Sequence, residues 1–147
     1  MGLEQIVAND KFVVLLEWAL ALEKRYKNLL QGGLIQIQYN SKEVMDSSFG
    51  AMDAVSRLDE VMVCLQQCFR DTDAIARYGT TFWVLVPMTD ADPVTSKVQG
   101  VINTAKMGGL DIEHTDVQVH MLRDHSGWLS RMGCDPQLFL SYLAALA

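Results

Sequence analysis

The chain has no long apolar run and no stretch of lysine and arginine, and its cysteines and prolines number only three each. Each shortage removes a class of protein. The apolar segment from Phe12 to Leu22 is interrupted by Glu17 and falls short of the roughly 20 residues needed to span a bilayer. Met1-Gly2-Leu3-Glu4-Gln5 lacks a basic region followed by an apolar core, so no secretory signal is expected. The formal net charge is −6. Without a basic stripe, binding to long DNA or RNA is not expected, because release of counterions from many phosphates drives it. Cys64 and Cys68 lie four apart in an apolar helical run, where buried thiols fit better than a bridge or a metal pair. With Cys134 they make an odd number and point to a reducing compartment. A cytoplasmic location is therefore expected, for a chain by itself or as the cytoplasmic part of a larger membrane-associated protein.

What remains is ordinary globular composition, 50% apolar and 20% charged over 147 residues. A chain of this length buries roughly 70% of the surface its unfolded form exposes, enough for one core without disulfides or metal. A single domain over residues 1–147 is expected. Asp10 to Leu30 reads as an amphipathic helix with Phe12, Leu15, Leu16, Ala19, Leu22, Tyr26 and Leu29 on one stripe, capped by Asn9 or Asp10 and ended by Gly32-Gly33. Leu34 to Tyr39 alternates with a period of two, as a strand does. Ser41 to Gly50 is polar, with a short helix or turn. A firmer helix runs from about Met52 to Phe69, with Val55, Leu58, Met62, Leu65 and Phe69 on its stripe. Two short strands, Asp73–Tyr78 and Phe82–Val86, flank Gly79-Thr80-Thr81 as a hairpin. Another helix starts near Pro93, carries Val94, Val98, Val101 and Ile102, and stops near Gly108-Gly109. Val117 to Met121 is the last strand, Arg123 to Gly133 is irregular, and Asp135-Pro136 caps a final helix carrying Leu138, Leu140, Tyr142 and Leu143. A hairpin among helices excludes a purely parallel doubly wound sheet and predicts an α/β domain with a mixed central sheet and helices on both faces.

The segment from Arg70 to Pro87 resembles the most distinctive stretch of GGDEF (diguanylate cyclase) domains. There an R-x-x-D motif leads into a strand ending R-[YL]-G, then a hairpin bearing G-G-[DE]-E-F, then an apolar strand ending in proline. Gly79, Phe82 and Pro87 match the first glycine, the phenylalanine and the proline, and Phe49-Gly50 falls where the family writes F-G-H. Asn9-Asp10 lies near the family's N-terminal N-R pair. The resemblance runs from about Asn9 to Ala105 and fades after it. It implies a nucleotide-cyclase-like fold with a five-stranded sheet.

The same alignment implies a loss of chemistry. Diguanylate cyclases join two GTP molecules using metal ions held by carboxylates. The first metal aspartate lands on Gln38, the second carboxylate on Asn40, and the hairpin acids are replaced by Thr80-Thr81. Neutral amides do not offset phosphate charge or hold Mg²⁺, which takes hard anionic oxygens. The guanine-contacting asparagine matches Asp46, and the guanine-contacting aspartate falls near Val55, with Asp53 within a local shift. No catalytic residue, metal site or cofactor is expected.

What survives is Arg70 and Asp73, in the spacing of the family's product-binding motif. The resemblance implies that they bind cyclic di-GMP, Arg70 through phosphate or the guanine O6/N7 edge and Asp73 through the guanine N1 and N2 hydrogens. A salt bridge or solvated pair is the competing reading of the same two residues. The second arginine of such a site falls near Gly100, with Lys97 or Arg57 as loose substitutes. Arg77 reads as a residue that serves the fold. His114, His120 and His125 lack metal-helix spacing, and Ser126-Gly127 carries no nucleophile signature. Trp18 and Trp83 read as core or interface residues, and Trp128 as an exposed anchor or a core plug. The expected function is a non-catalytic cyclic di-GMP receptor in bacterial signalling. The alternative is a ligand-independent adaptor that docks through its first helix onto a second copy, a partner protein or an upstream domain.

Overall fold

The alternation in Leu34–Tyr39 becomes the inner strand of an antiparallel sheet, because both of its faces meet apolar helices. The computed structural model describes residues 3–39, 58–59, 61–63, 65–67, 73–79, 81–87, 96, 100 and 115–146. In chain order these form α1 (Leu3–Arg25), β1 (Gly33–Tyr39), β2 (Ala74–Tyr78), β3 (Thr81–Val86), β4 (Thr115–Met121), a 3-10 turn (Leu122–His125), α2 (Ser126–Met132) and α3 (Pro136–Ala145). Residues 58–59, 61–63, 65–67, 96 and 100 are also helical. The expectations for 41–57, for Cys64, Cys68 and Phe69, and for Val94 to Gly109 apart from 96 and 100 lie outside the described residues.

The strand order is β2-β3-β1-β4. The α/β class and the helix-flanked sheet hold, and the hairpin pairs antiparallel as expected. Among the described residues the three ladders are all antiparallel. β1 and β2 run the same way, but β3 folds back from β2 and inserts between them. Among the described strands, parallel ones are therefore not neighbours, which is the split βαβ arrangement. The five-stranded sheet that the resemblance implies is represented by four strands among the described residues.

Strand alternation sorts the core into two layers. Ile35, Ile37, Ile75, Phe82, Val84 and Val86 pack on one face against the helical residues Leu58, Val61, Met62 and Leu65. Leu34, Ala74, Ala76, Trp83 and Leu85 pack on the other face against α1, α2 and α3. Trp83 is thus a core residue. Trp18 is 55% exposed on α1. Trp128 is a half-buried plug stacked on Tyr142, with ring centroids 4.7 Å apart.

Both ends of the first helix differ from expectation, for local reasons. α1 begins at Leu3, and Asn9 lies inside it rather than capping it. The Asn9 amide reaches the edge strand β2 instead. Its Oδ1 accepts from the Arg77 N–H and its Nδ2 donates to the Arg77 carbonyl, each at 3.0 Å. A tertiary contact has overridden the residue's preference for helix starts. The helix stops at Arg25, five residues early. The buried Glu23 carboxylate accepts the Asn28 N–H at 3.1 Å, and Asn28 and Gln31 take left-handed φ values of 62° and 52°. The chain has therefore turned before Gly32, and Tyr26 and Leu29 are exposed rather than on the core stripe.

After β4, the segment expected to be irregular forms the 3-10 turn and α2. Asp135 caps α3 as expected, its carboxylate accepting the Leu138 N–H at 3.1 Å. Leu138 is exposed, however, and Phe139 takes the core position beside Leu140 and Leu143.

Candidate functional site

The β2–β3 turn sets the geometry of the site. Tyr78 pairs with Thr81, so Thr81 belongs to the strand rather than to the gap. Gly79 has φ +64°, a left-handed conformation in which a side chain would be strained. Thr81 also pairs with Gln38 across the β1–β3 ladder. Two neutral residues thus stand side by side at the strand end.

A cleft of about 260 Å³ opens at this strand end. Gln36, Gln38, Thr81 and Trp83 line it from the sheet, with Tyr78 beside them. Gln137, Leu140, Ser141 and Ala144 line it from α3, at the three- and four-residue spacing of one helix face. None of these described lining residues is an Asp, Glu, Lys, Arg or His. No group of three His, Cys, Asp or Glu side chains among the described residues is placed to hold a metal.

Behind the cleft lies a histidine pair that sequence spacing did not single out. The His120 and His125 rings are 6.1 Å apart. His125 Nδ1 lies 3.0 Å from the Tyr142 hydroxyl, and His120 Nε2 lies 3.3 Å from Gln36 Oε1. An amide oxygen only accepts, so Nε2 of His120 carries the proton in that contact. Burial lowers both pKa values below the usual 6.5. The neighbouring His125 lowers His120 further, whereas Asp124 partly offsets the effect on His125. The signal available in the sequence was strand parity, since His120 falls on the same face of the sheet as Leu34 and Gln36.

A pH dependence follows. As pH falls through about 6.5 the unfolded chain takes up protons on these histidines before the folded chain does. Their contribution is therefore fully retained above that value and declines as pH drops toward the folded values. The thermal midpoint should fall between pH 7 and pH 5, and the double variant His120→Gln/His125→Gln should fall less. Identical pH slopes in thermal melts of the two proteins would contradict this.

The two candidate ligand residues are not brought to this cleft. Arg70 lies outside the described residues. Asp73 is 8% exposed and precedes β2 at the end away from the hairpin. Five strand steps of about 3.3 Å put it roughly 17 Å along from Tyr78. Arg77 serves the fold, as expected. Its Nη1 lies 2.6 Å from Asp59 Oδ1, and its backbone is held by Asn9. Gly100 is helical and exposed, while Lys97 and Arg57 lie outside the described residues.

The fold defined by this sheet and its helices is that of GGDEF and nucleotide-cyclase-like α/β domains. A sensory box/GGDEF family protein from Caulobacter crescentus matches with a TM-score of 0.59 at 16% identity, over 92% of both chains. The GGDEF domain of DgcB from the same organism, solved in complex with cyclic di-GMP, gives 0.58 at 16% identity over 90% of this chain and 83% of that one. The GGDEF domain of TpbB (YfiN) from Pseudomonas aeruginosa gives 0.55 at 19% identity over 75% of this chain, which spans 66% of that structure. No family model matches the sequence, and no curated protein does. Likeness at this level of identity establishes the fold. No described helix is long and apolar enough to cross a membrane.

Proposed function

We propose that this chain is a non-catalytic GGDEF-fold signalling domain that binds cyclic di-GMP through Arg70 and Asp73. The observation that carries the loss of catalysis is the pairing of Gln38 with Thr81 at the end of β1 and β3. A metal-bridged triphosphate needs anionic oxygens there, and two neutral side chains supply none. The ligand reading is supported by the sequence spacing of Arg70 and Asp73 and by the fold shared with the cyclic di-GMP complex of DgcB. The expected signalling setting is cytoplasmic.

A ligand-independent adaptor is the second reading. Val7, Val14 and Trp18 are exposed on one helical stripe of α1, an apolar face suited to a second copy, a partner protein or a neighbouring domain.

Calorimetric titration with cyclic di-GMP decides between them, with GTP and cyclic di-AMP as comparators. Saturable heat is expected from cyclic di-GMP, and Arg70→Ala should weaken it about tenfold or more, as loss of a charged contact does. Asp73→Ala should relax the preference for guanine over adenine. Incubation with GTP and Mg²⁺ should yield no cyclic di-GMP. Product above a no-protein control would overturn the non-catalytic reading, and absence of heat at high micromolar ligand would favour the adaptor.

A further inference from the structure

The cleft between the hairpin end of the sheet and α3 contains a buried amide with unused capacity. Gln36 sits in the middle of β1, between Trp83 on β3 and Gln118 on β4. It is 3% exposed, yet it lines the cleft. A glutamine side chain offers one acceptor oxygen and two N–H donors. The oxygen faces His120 Nε2 at 3.3 Å, which turns the amide nitrogen away from the histidine. Among the described residues no hydrogen bond is made to the Gln36 amide nitrogen. Buried donors without partners are rare in folded proteins and destabilise them, so such a group at a cleft wall marks a place where an acceptor belongs.

The rest of the wall specifies what kind of acceptor. Trp83 and Leu140 present apolar surface, while Gln38, Thr81, Gln137 and Ser141 place neutral amides and hydroxyls around it. A few polar groups converging in a partly apolar concavity are the usual composition of a small-molecule site. An ionised ligand would lose hydration here without meeting an opposite charge among the described lining residues, and that loss is severe. A volume of about 260 Å³ restricts the ligand to a small one.

We propose that this cleft binds a small uncharged molecule carrying a carbonyl-type acceptor, received by the Gln36 amide and bordered by Gln38, Thr81 and Ser141. His120 is a positioning residue, acting through Gln36 and not on the ligand. The site is separate from the cyclic di-GMP reading, which concerns the opposite end of β2.

Nicotinamide and nicotinate make a matched test, one ring bearing a neutral amide or a carboxylate. In an NMR titration of the full chain, nicotinamide should produce saturable shifts in the side-chain amide signals of Gln36, Gln38 and Gln137. Nicotinate should bind about tenfold or more weakly, as should nicotinamide to Gln36→Leu, which loses one buried hydrogen bond. Ser141→Trp, made at an exposed position of α3, should fill the cleft without changing any sheet residue and abolish the shifts. Arg70→Ala should leave them unchanged, which separates this site from the other. Absence of saturable shifts with nicotinamide overturns the proposal. So does equal affinity for nicotinate, or undiminished binding in Ser141→Trp.

Discussion

Phe139→Ala is expected to lower the unfolding free energy by about 3–5 kcal/mol, the range for removing a fully buried phenylalanine. Phe139 is 0% exposed and stands at the centre of the C-terminal aromatic group. Its ring meets His125 edge-on at 5.9 Å and Trp128 at 5.5 Å, and Tyr142 lies 6.0 Å away. Alanine would leave a void that these rings cannot close, because Trp128 and Tyr142 are already stacked on each other and His125 is hydrogen-bonded to Tyr142. Urea denaturation should show a lower midpoint with a nearly unchanged slope. α3 supplies one wall of the cleft, so binding there should weaken along with stability. A change below about 1 kcal/mol would mean that α3 docks by other contacts.

Asn9→Leu is expected to cost about 2–4 kcal/mol, because it removes the partners of two backbone groups at once. The Arg77 N–H and carbonyl would both lose their bonds to the Asn9 amide. Leucine is the better helix former, yet that preference amounts to only a few tenths of a kcal/mol. Asn9→Asp separates the components. It keeps an acceptor for the Arg77 N–H and loses the donor to the carbonyl, so its destabilisation should be intermediate. Hydrogen exchange at Arg77 gives the local readout, with protection lost in the leucine variant and partly kept in the aspartate variant. Equal stability of wild type and Asn9→Leu would contradict the assignment.

The strands were legible because periodicity is local. Ile35 and Ile37 against Leu34 and Gln36 announce two faces, and the structure gives each face its own layer of helices. Gln36 shows where that reasoning stops. Polar alternation marks parity but not depth, so the sequence does not reveal that this amide is buried beside His120. Asn9 shows the same limit for helix ends. Capping preference is a local tendency, and a strand 68 positions away claimed the side chain instead. The run from Arg123 to Gly133 read as irregular because Ser126 and Gly127 are weak helix formers, whereas the packing of Leu129 and Trp128 against Phe139 stabilises α2 from outside. Of the site, the neutral character of Gln38 and Thr81 was readable from the residues, and their pairing across one ladder was not. The cleft was not, since α3 reaches it from a segment where the resemblance had faded.

The hold of Asn9 on Arg77 has a consequence for solubility. β2 is an outer strand among the described residues, and an outer strand with open N–H and carbonyl groups is a template on which another chain can add. A side-chain amide copies the donor and acceptor of a peptide group, so Asn9 occupies that template as a neighbouring strand would, but ends after one residue and cannot propagate. Loosening the first turns of α1 would uncover the template while most of the core stayed intact. A nearly native molecule, rather than an unfolded one, would then seed aggregation.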